Sequence, residues 1–173
     1  MIEAAILIVF PFAMAFAAVS DLLSMTIQNR VSLILVGAFA LLAPLTGMGW
    51  DVYAMHFVAG LAVLTVTFGL FAVRAMGGGD AKLMAATAVW FGWDIHLVTY
   101  LATASVLGGM LTLAILAYRR SPVAVVAGRF EFMRRLAQHD IGIPYGIALG
   151  ATGLLTFPQS ALGAWVLARL SSL

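Results

Sequence analysis

The chain has 173 residues, of which 64% are hydrophobic and only 9% are charged, and its mean hydropathy is +1.09. Because globular domains carry about 25% charged residues, this composition excludes a water-soluble globular domain, a disordered chain and a coiled coil. The formal net charge of +2 reports helix orientation in a membrane protein rather than a nucleic-acid partner. The absence of cysteine excludes disulfides, thiolate catalysis and cysteine-ligated zinc.

Apolar stretches separated by turn residues and charges predict an all-α membrane protein, a polytopic bundle of six transmembrane helices. A helix needs about 20 apolar residues to cross a bilayer core. The fourth stretch is shorter and follows Gly77, Gly78 and Gly79, which predicts a Gly-rich turn at the membrane interface before helix four. The predicted spans are residues 2–19, 31–48, 52–73, 81–90, 97–118 and 143–168.

The first stretch has an alternative interpretation as a cleaved signal peptide. Residues 15–17 resemble a small-residue cleavage site after an apolar run. A signal peptide begins with basic residues, however, whereas this stretch begins with Glu3. We therefore expect the first helix to be retained, with the N-terminus outside the cytoplasm.

Basic residues are concentrated in three predicted loops, 20–30, 74–82 and 119–140. With an outside N-terminus, these loops lie inside, and Arg169 is the single basic residue left outside. The distribution follows the positive-inside rule, so it predicts a bacterial inner-membrane protein with both termini in the periplasm. The inside basic residues are Arg30, Arg74, Lys82, Arg119, Arg120, Arg129, Arg134 and Arg135.

The longest inside loop has helical periodicity. Val126, Phe130, Met133 and Ala137 recur at helical spacing, which predicts an interfacial amphipathic helix over 123–137, between helices five and six. An ordered loop on anionic headgroups is the alternative.

Most of the acidic residues have simple structural explanations, but Asp21 and Asp80 lie at the inner ends of predicted helices, on the same predicted membrane face. Alone, Asp21 is explained as a helix-terminal loop acid and Asp80 as a helix N-cap. Two carboxylates a few ångström apart share one proton, so that one acts as a base and the other as an acid. The pair therefore points to aspartic-protease chemistry on the cytoplasmic side. The remaining acids are Glu3, Asp51, Asp94, Glu131 and Asp140.

The sequence gives little support for other kinds of catalytic site. No H-E-x-x-H occurs, and His56, His96 and His139 lie on three different segments, which disfavours a zinc peptidase. No G-x-S-x-G occurs, and Ser105 in the fifth span has a simpler role in helix packing. Residues 77–82 lack the second half of a P-loop.

At these residues the sequence resembles the type IV prepilin peptidase family, membrane aspartic proteases that share a G-x-G-D motif with presenilin-type proteases. Residues 77–83 look like the family's G-x-G-D-x-K-L segment. Asp21, Ile27 and Asn29 look like its Asp followed by Ile-Pro-Asn, although Gln28 stands where the family commonly has Pro. Residues 143–146 are similar to a third family element. The resemblance runs over nearly the whole chain.

The resemblance implies a single integral-membrane peptidase domain over 1–173, which cleaves the leader from a prepilin or pseudopilin without any metal or organic cofactor. Long family members carry an additional cytoplasmic region with paired cysteines that is associated with N-methylation. This chain has no cysteine and no room for that region. It therefore resembles the short, peptidase-only form of Tad/Flp-type pilus systems. The implied site consists of catalytic Asp21 and Asp80, motif-shaping Gly77, Gly78 and Gly79, and interfacial or substrate contacts at Asn29, Lys82 and Pro144.

The implied partners are the lipid bilayer and a pilin precursor with a basic leader and a hydrophobic helix, with no nucleic acid. We expect that helix to dock on small-residue surfaces such as Gly60 or Gly108 and Gly109, for which internal packing is the alternative. Two other functions stay open from the residues alone. One is a small proton-coupled transporter that uses Asp21 and Asp80 as charge carriers. The other is a non-catalytic pilus-assembly subunit.

Overall fold

A computed structural model gives the structure of the chain and describes residues 1–122 and 142–172. Within these ranges the chain forms seven α-helices, two short 3₁₀-helices at Pro44–Thr46 and Phe157–Gln159, and no strand. The predicted all-α class is therefore confirmed for the described residues. The helices are α1 (Ile2–Ser24), α2 (Asn29–Leu42), α3 (Trp50–Ala72), α4 (Gly78–Phe91), α5 (Ile95–Arg119), α6 (Tyr145–Thr156) and α7 (Ala161–Leu170).

Four stretches are long and apolar enough to cross a membrane: α1, α2 together with its following 3₁₀ turn, α3 and α5. They make the chain a multi-pass membrane protein. The shorter α4 has 14 residues and lies among the other helices, where ten of them are buried. Six spans therefore stay a prediction. The predicted amphipathic helix, with Arg129, Arg134 and Arg135, lies outside the described residues.

The predicted sixth span is two helices rather than one. Residues 157–159 form a 3₁₀ turn around Pro158, which has no N–H to donate to a continuing helix. Ser160 then starts α7, because its side chain accepts a hydrogen bond from the Gly163 N–H at 3.1 Å. The apolar run 143–168 thus contains a helix stop and a helix start.

Aromatic contacts of Trp90 link the end of α4 to α1 and α2. The Trp90 ring lies 4.8 Å from Phe10 of α1 and 6.0 Å from Phe39 of α2, measured between ring centroids. The indole Nε1 of Trp90 also donates to the backbone oxygen of Leu35 at 2.9 Å. Such contacts fix both the position and the rotation of the helix whose first turn carries Asp80.

Small residues let neighbouring helices approach closely. A Cβ added to Gly60 would overlap the side chain of Val89, and one added to Gly108 would overlap the ring of Tyr145. Both glycines are buried. The expected docking of a pilin helix on Gly60 or Gly108 is therefore wrong, because these positions pack α3 on α4 and α5 on α6. A Cβ at Gly109 would meet nothing within 4 Å.

Candidate active site

Asp21 lies near the end of α1 and is held by the beginning of α6. Its carboxyl oxygen Oδ2 accepts a hydrogen bond from the backbone N–H of Gly146 at 2.6 Å, and only 5% of the residue is exposed. Gly146 is the second residue of α6, so this N–H is one of the donors that a helix leaves unpaired at its N-terminus. The Asp21 side chain therefore has a fixed position.

Asp80 is the third residue of α4. The helix begins at Gly78, with Gly77 at the N-cap, so Asp80 is not itself the N-cap residue. The predicted Gly-rich turn is correspondingly shorter, because Gly78 and Gly79 already belong to the helix. The Asp80 carboxyl lies beside Gly77, where an added Cβ would be 2.6 Å from the Asp80 Oδ2, and an acid in the first helical turn is stabilised by the helix dipole.

The two carboxyl groups line one cavity of about 740 Å³. Asp21 and Asp80 are close enough for the charge on one to act on the other. Neither has an ion-pair partner among the described residues. Two carboxyl groups that line one cavity are candidates for a coupled acid and base. The cavity is also lined by Met25, Arg74, Ala75, Met76, Gly77, Met84, Ala104, Ser105, Arg119, Gly142, Ile143, Tyr145 and Leu149.

Ile27 lies beside Gly79 and Gly146, so its side chain is the place where the three resembled motifs, 21–29, 77–83 and 143–146, meet. A Cβ on Gly79 would lie 3.1 Å from the Ile27 Cβ, and a Cβ on Gly146 would lie 2.9 Å from the Ile27 Cδ1. The Ile27 side chain is buried, and glycine at both neighbours gives it room. Gly78 has a different neighbour, because its Cβ would lie 3.2 Å from the Phe71 ring.

The predicted contact residues have different surroundings. Lys82 Nζ donates to Asn29 Oδ1 at 3.0 Å, and both residues are exposed. This pair joins α4 to the start of α2, and neither residue lines the cavity of the carboxyl groups. Pro144 is buried as the N-cap of α6, directly before the turn that holds Asp21.

Gln28 has a backbone conformation that suits proline. Its φ is −68° and its ψ is 136°, whereas proline fixes φ near about −65°. Its N–H donates to no group in the described part of the chain. A proline would therefore fit at position 28 without a change in this backbone conformation.

We expect Gln28→Pro to raise the free energy of unfolding by about 0.4–1 kcal/mol, because it restricts the unfolded chain without straining the folded one. Thermal unfolding in detergent measures the change. Val31→Pro is the control and should destabilise the protein, since the Val31 N–H donates to the Gln28 oxygen at 3.0 Å. A lower melting temperature for Gln28→Pro would contradict the conclusion that the backbone at position 28 suits proline.

Arg74, at the edge of the cavity, is held in a left-handed conformation with φ 60°. It follows α3, where its N–H donates to Phe71 and the Ala75 N–H donates to Leu70. Glycine is the usual residue at such a helix end, since other residues pay a steric cost there. Non-glycine residues in this conformation cluster at functional sites.

Replacement of Arg74 by glycine is expected to stabilise the fold by about 1 kcal/mol through relief of this cost. The same change removes a cation from the cavity, so we expect slower turnover of whatever substrate binds there. Arg74→Lys is the control, because it keeps both the charge and the strain and should leave the melting temperature unchanged. An unchanged melting temperature for Arg74→Gly would show that the conformation carries no strain.

Sequence reasoning missed the backbone donor of Gly146, the contacts of Ile27 and the cavity positions of Arg74 and Arg119. The motif around 143–146 was visible in the sequence, but a backbone donor leaves no signal in residue type. In the parts of the chain that the structure describes, no group of three or more His, Cys, Asp or Glu residues could hold a metal ion.

Comparison with known proteins adds one finding. The sequence profile of the type IV leader peptidase family matches residues 8–113, which is more than half of the chain and includes both Asp21 and Asp80. No curated protein and no solved structure matches the chain.

Proposed function

The chain belongs to the type IV leader peptidase family, and from this we propose that it is a membrane aspartic endopeptidase of Flp-type prepilins. It removes the leader peptide at the cytoplasmic membrane face, without N-methyl transfer. One observation carries the proposal: Asp21 from α1 and Asp80 from α4 line the same cavity, although they are far apart in the chain. The family membership supports the peptidase activity, and the two carboxyl groups support its aspartic type.

In the proposed mechanism a water lies between the two carboxyl groups. The ionised member of the pair takes a proton from this water, whose oxygen attacks the carbonyl carbon of the scissile peptide. During this attack the protonated member donates its proton to the carbonyl oxygen. As the C–N bond breaks, the leaving amine takes the proton that the base had received from water, and one hydroxyl of the intermediate returns its proton to the other carboxylate, so that the pair again holds one proton. Because the two groups share one proton, the ionisations belong to the pair rather than to either residue.

The remaining residues position this pair. The Gly146 N–H orients Asp21, while the first turn of α4 positions Asp80 and Gly77 leaves room for its carboxyl group. Fixed geometry of this kind contributes to the rate because the reacting groups need no rearrangement. The proposed cytoplasmic location follows from the concentration of basic residues in the predicted inside loops. The absence of cysteine from the sequence supports a peptidase-only activity.

Purified protein in detergent tests the proposal. It should cut a pilin precursor that has a short basic leader and a Gly before the hydrophobic helix, in the absence of any ion gradient. Mass spectrometry of the product should find the leader removed and the new N-terminus unmethylated, even when a methyl donor is supplied. Transport that needs a gradient, without cleavage, would favour a transporter. Failure to cut several precursors would favour an assembly subunit.

A further inference from the structure

An apolar groove of about 640 Å³ lies between α3 and α5. We call it the α3–α5 groove, and among the residues that line it are Val66 and Leu70 of α3, Val98 and Leu101 of α5, and Met84 of α4. It exists because α5 packs mainly on α6 and makes few contacts with α4. On α5 it extends from Ile95 to Ser105, which is about 15 Å at the rise of an α-helix.

The α3–α5 groove adjoins the cavity that holds the two carboxyl groups. Three residues, Met76, Met84 and Ser105, line both spaces. Methionine side chains are unbranched and adapt to different neighbours, which makes them common at surfaces that bind variable apolar partners. Two adaptable side chains therefore stand between the apolar groove and the cavity of Asp21 and Asp80.

Both walls of the groove belong to helices long and apolar enough to cross a membrane. Val66 is 66% exposed and Val98 is 57% exposed, so an apolar occupant can reach them from within the bilayer. An occupant that also presents a peptide bond to the carboxyl groups must be a polypeptide whose apolar helix continues into an extended stretch. A lipid chain fits the apolar walls but presents no peptide bond to the cavity.

We propose that the α3–α5 groove is the docking surface for the hydrophobic helix of the pilin precursor, with the scissile bond reaching the cavity past Met76 and Met84. This inference rests on the proposed peptidase function. It places the helix on α3 and α5 and not on the buried glycines Gly60 and Gly108. Recognition then depends on the apolar helix, while the cleavage chemistry depends on the two carboxyl groups.

Two pairs of tryptophan substitutions test this docking surface. Val66→Trp and Val98→Trp fill the groove from its two walls. Val58→Trp and Val106→Trp are matched controls, because each is an exposed valine on the same helix, outside the groove. Each variant is assayed on the full precursor and on a short peptide that contains the leader and the cleavage site but lacks the hydrophobic helix.

We expect the groove variants to lower kcat/KM for the full precursor by about tenfold more than for the short peptide, mainly through KM. The control variants should leave both substrates unaffected. Equal losses on both substrates, or losses in the controls as well, would overturn the docking surface. Wild-type protein that cuts neither substrate would instead overturn the proposed peptidase function, so the two failures are distinguishable.

Photo-crosslinking provides an independent measurement that does not depend on cleavage. A photoreactive side chain at position 98 should attach to the hydrophobic helix of the precursor, and the same group at position 106 should not. Attachment at position 98 to lipid alone, in the presence of precursor that wild-type protein cuts, would overturn the proposal.

Discussion

Asp21→Asn and Asp80→Asn are each expected to lower kcat for precursor cleavage by about 10³-fold, within the range that proton transfer by a positioned acid or base contributes. An amide neither accepts the proton of the attacking water nor donates one to the leaving group. The loss should fall on kcat with little change in KM, because asparagine has nearly the same size as aspartate. Cleavage of a precursor by purified protein in detergent measures both constants.

The control for this experiment is Asp51→Asn. Asp51 lies in the first turn of α3 and is exposed, and it does not line the cavity of the carboxyl groups. This variant should cleave at the wild-type rate. All three variants should unfold at similar temperatures, since the side-chain oxygen of asparagine at position 21 still accepts the Gly146 N–H. Full activity in either Asp21→Asn or Asp80→Asn would remove the basis for an aspartic mechanism.

The second large effect is expected for Gly146→Ala. The added Cβ would lie 2.7 Å from the Asp21 Cβ and 2.9 Å from the Asp21 Oδ2, which is too close for any real methyl group. The carboxyl group must therefore move, and misplacement of a reacting group by about 1 Å costs on the order of 10²-fold in rate. We expect kcat to fall by this factor.

Gly109→Ala is the matched control for a glycine-to-alanine change, because its Cβ would have open space and it sits within α5. Alanine stabilises a helix interior by about 1 kcal/mol relative to glycine, so this variant should be active and slightly more stable. Thermal unfolding of Gly146→Ala separates lost activity from lost structure. Wild-type kcat in a folded Gly146→Ala protein would mean that Gly146 does not position Asp21.

The sequence predicted the paired carboxyl groups because charge is informative in an apolar chain. So few acidic residues occur that Asp21 and Asp80 stand out, and the placement of basic residues predicts that both lie on one membrane face. The hydrogen bond from Gly146 could not be predicted, because 125 residues separate it from Asp21. A backbone amide has the same chemistry in every residue but proline, so only the folded structure identifies the donor.

Hydropathy alone was insufficient to predict where the last helices begin and end. The run 143–168 is largely apolar, so its average hydropathy predicted a single span. Pro158 and Ser160 are the residues that mark the helix stop and the helix start within it. The role of Gly60 was ambiguous for another reason. A small residue in a membrane helix permits close approach by a neighbouring helix of the same chain or by a partner, and only the position of Val89 decides between the two.

The support of Asp21 by α6 has a consequence for the biogenesis of the protein. Both carboxyl groups belong to the first part of the chain to leave the ribosome, whereas the Gly146 amide that fixes Asp21 leaves much later. The region matched by the family profile, residues 8–113, likewise ends before α6. A nascent chain therefore contains both acids for some time without the hydrogen bond that orients one of them. The hydrogen bond that orients the Asp21 carboxyl can therefore form only after α6 has been synthesised and has reached its place beside α1.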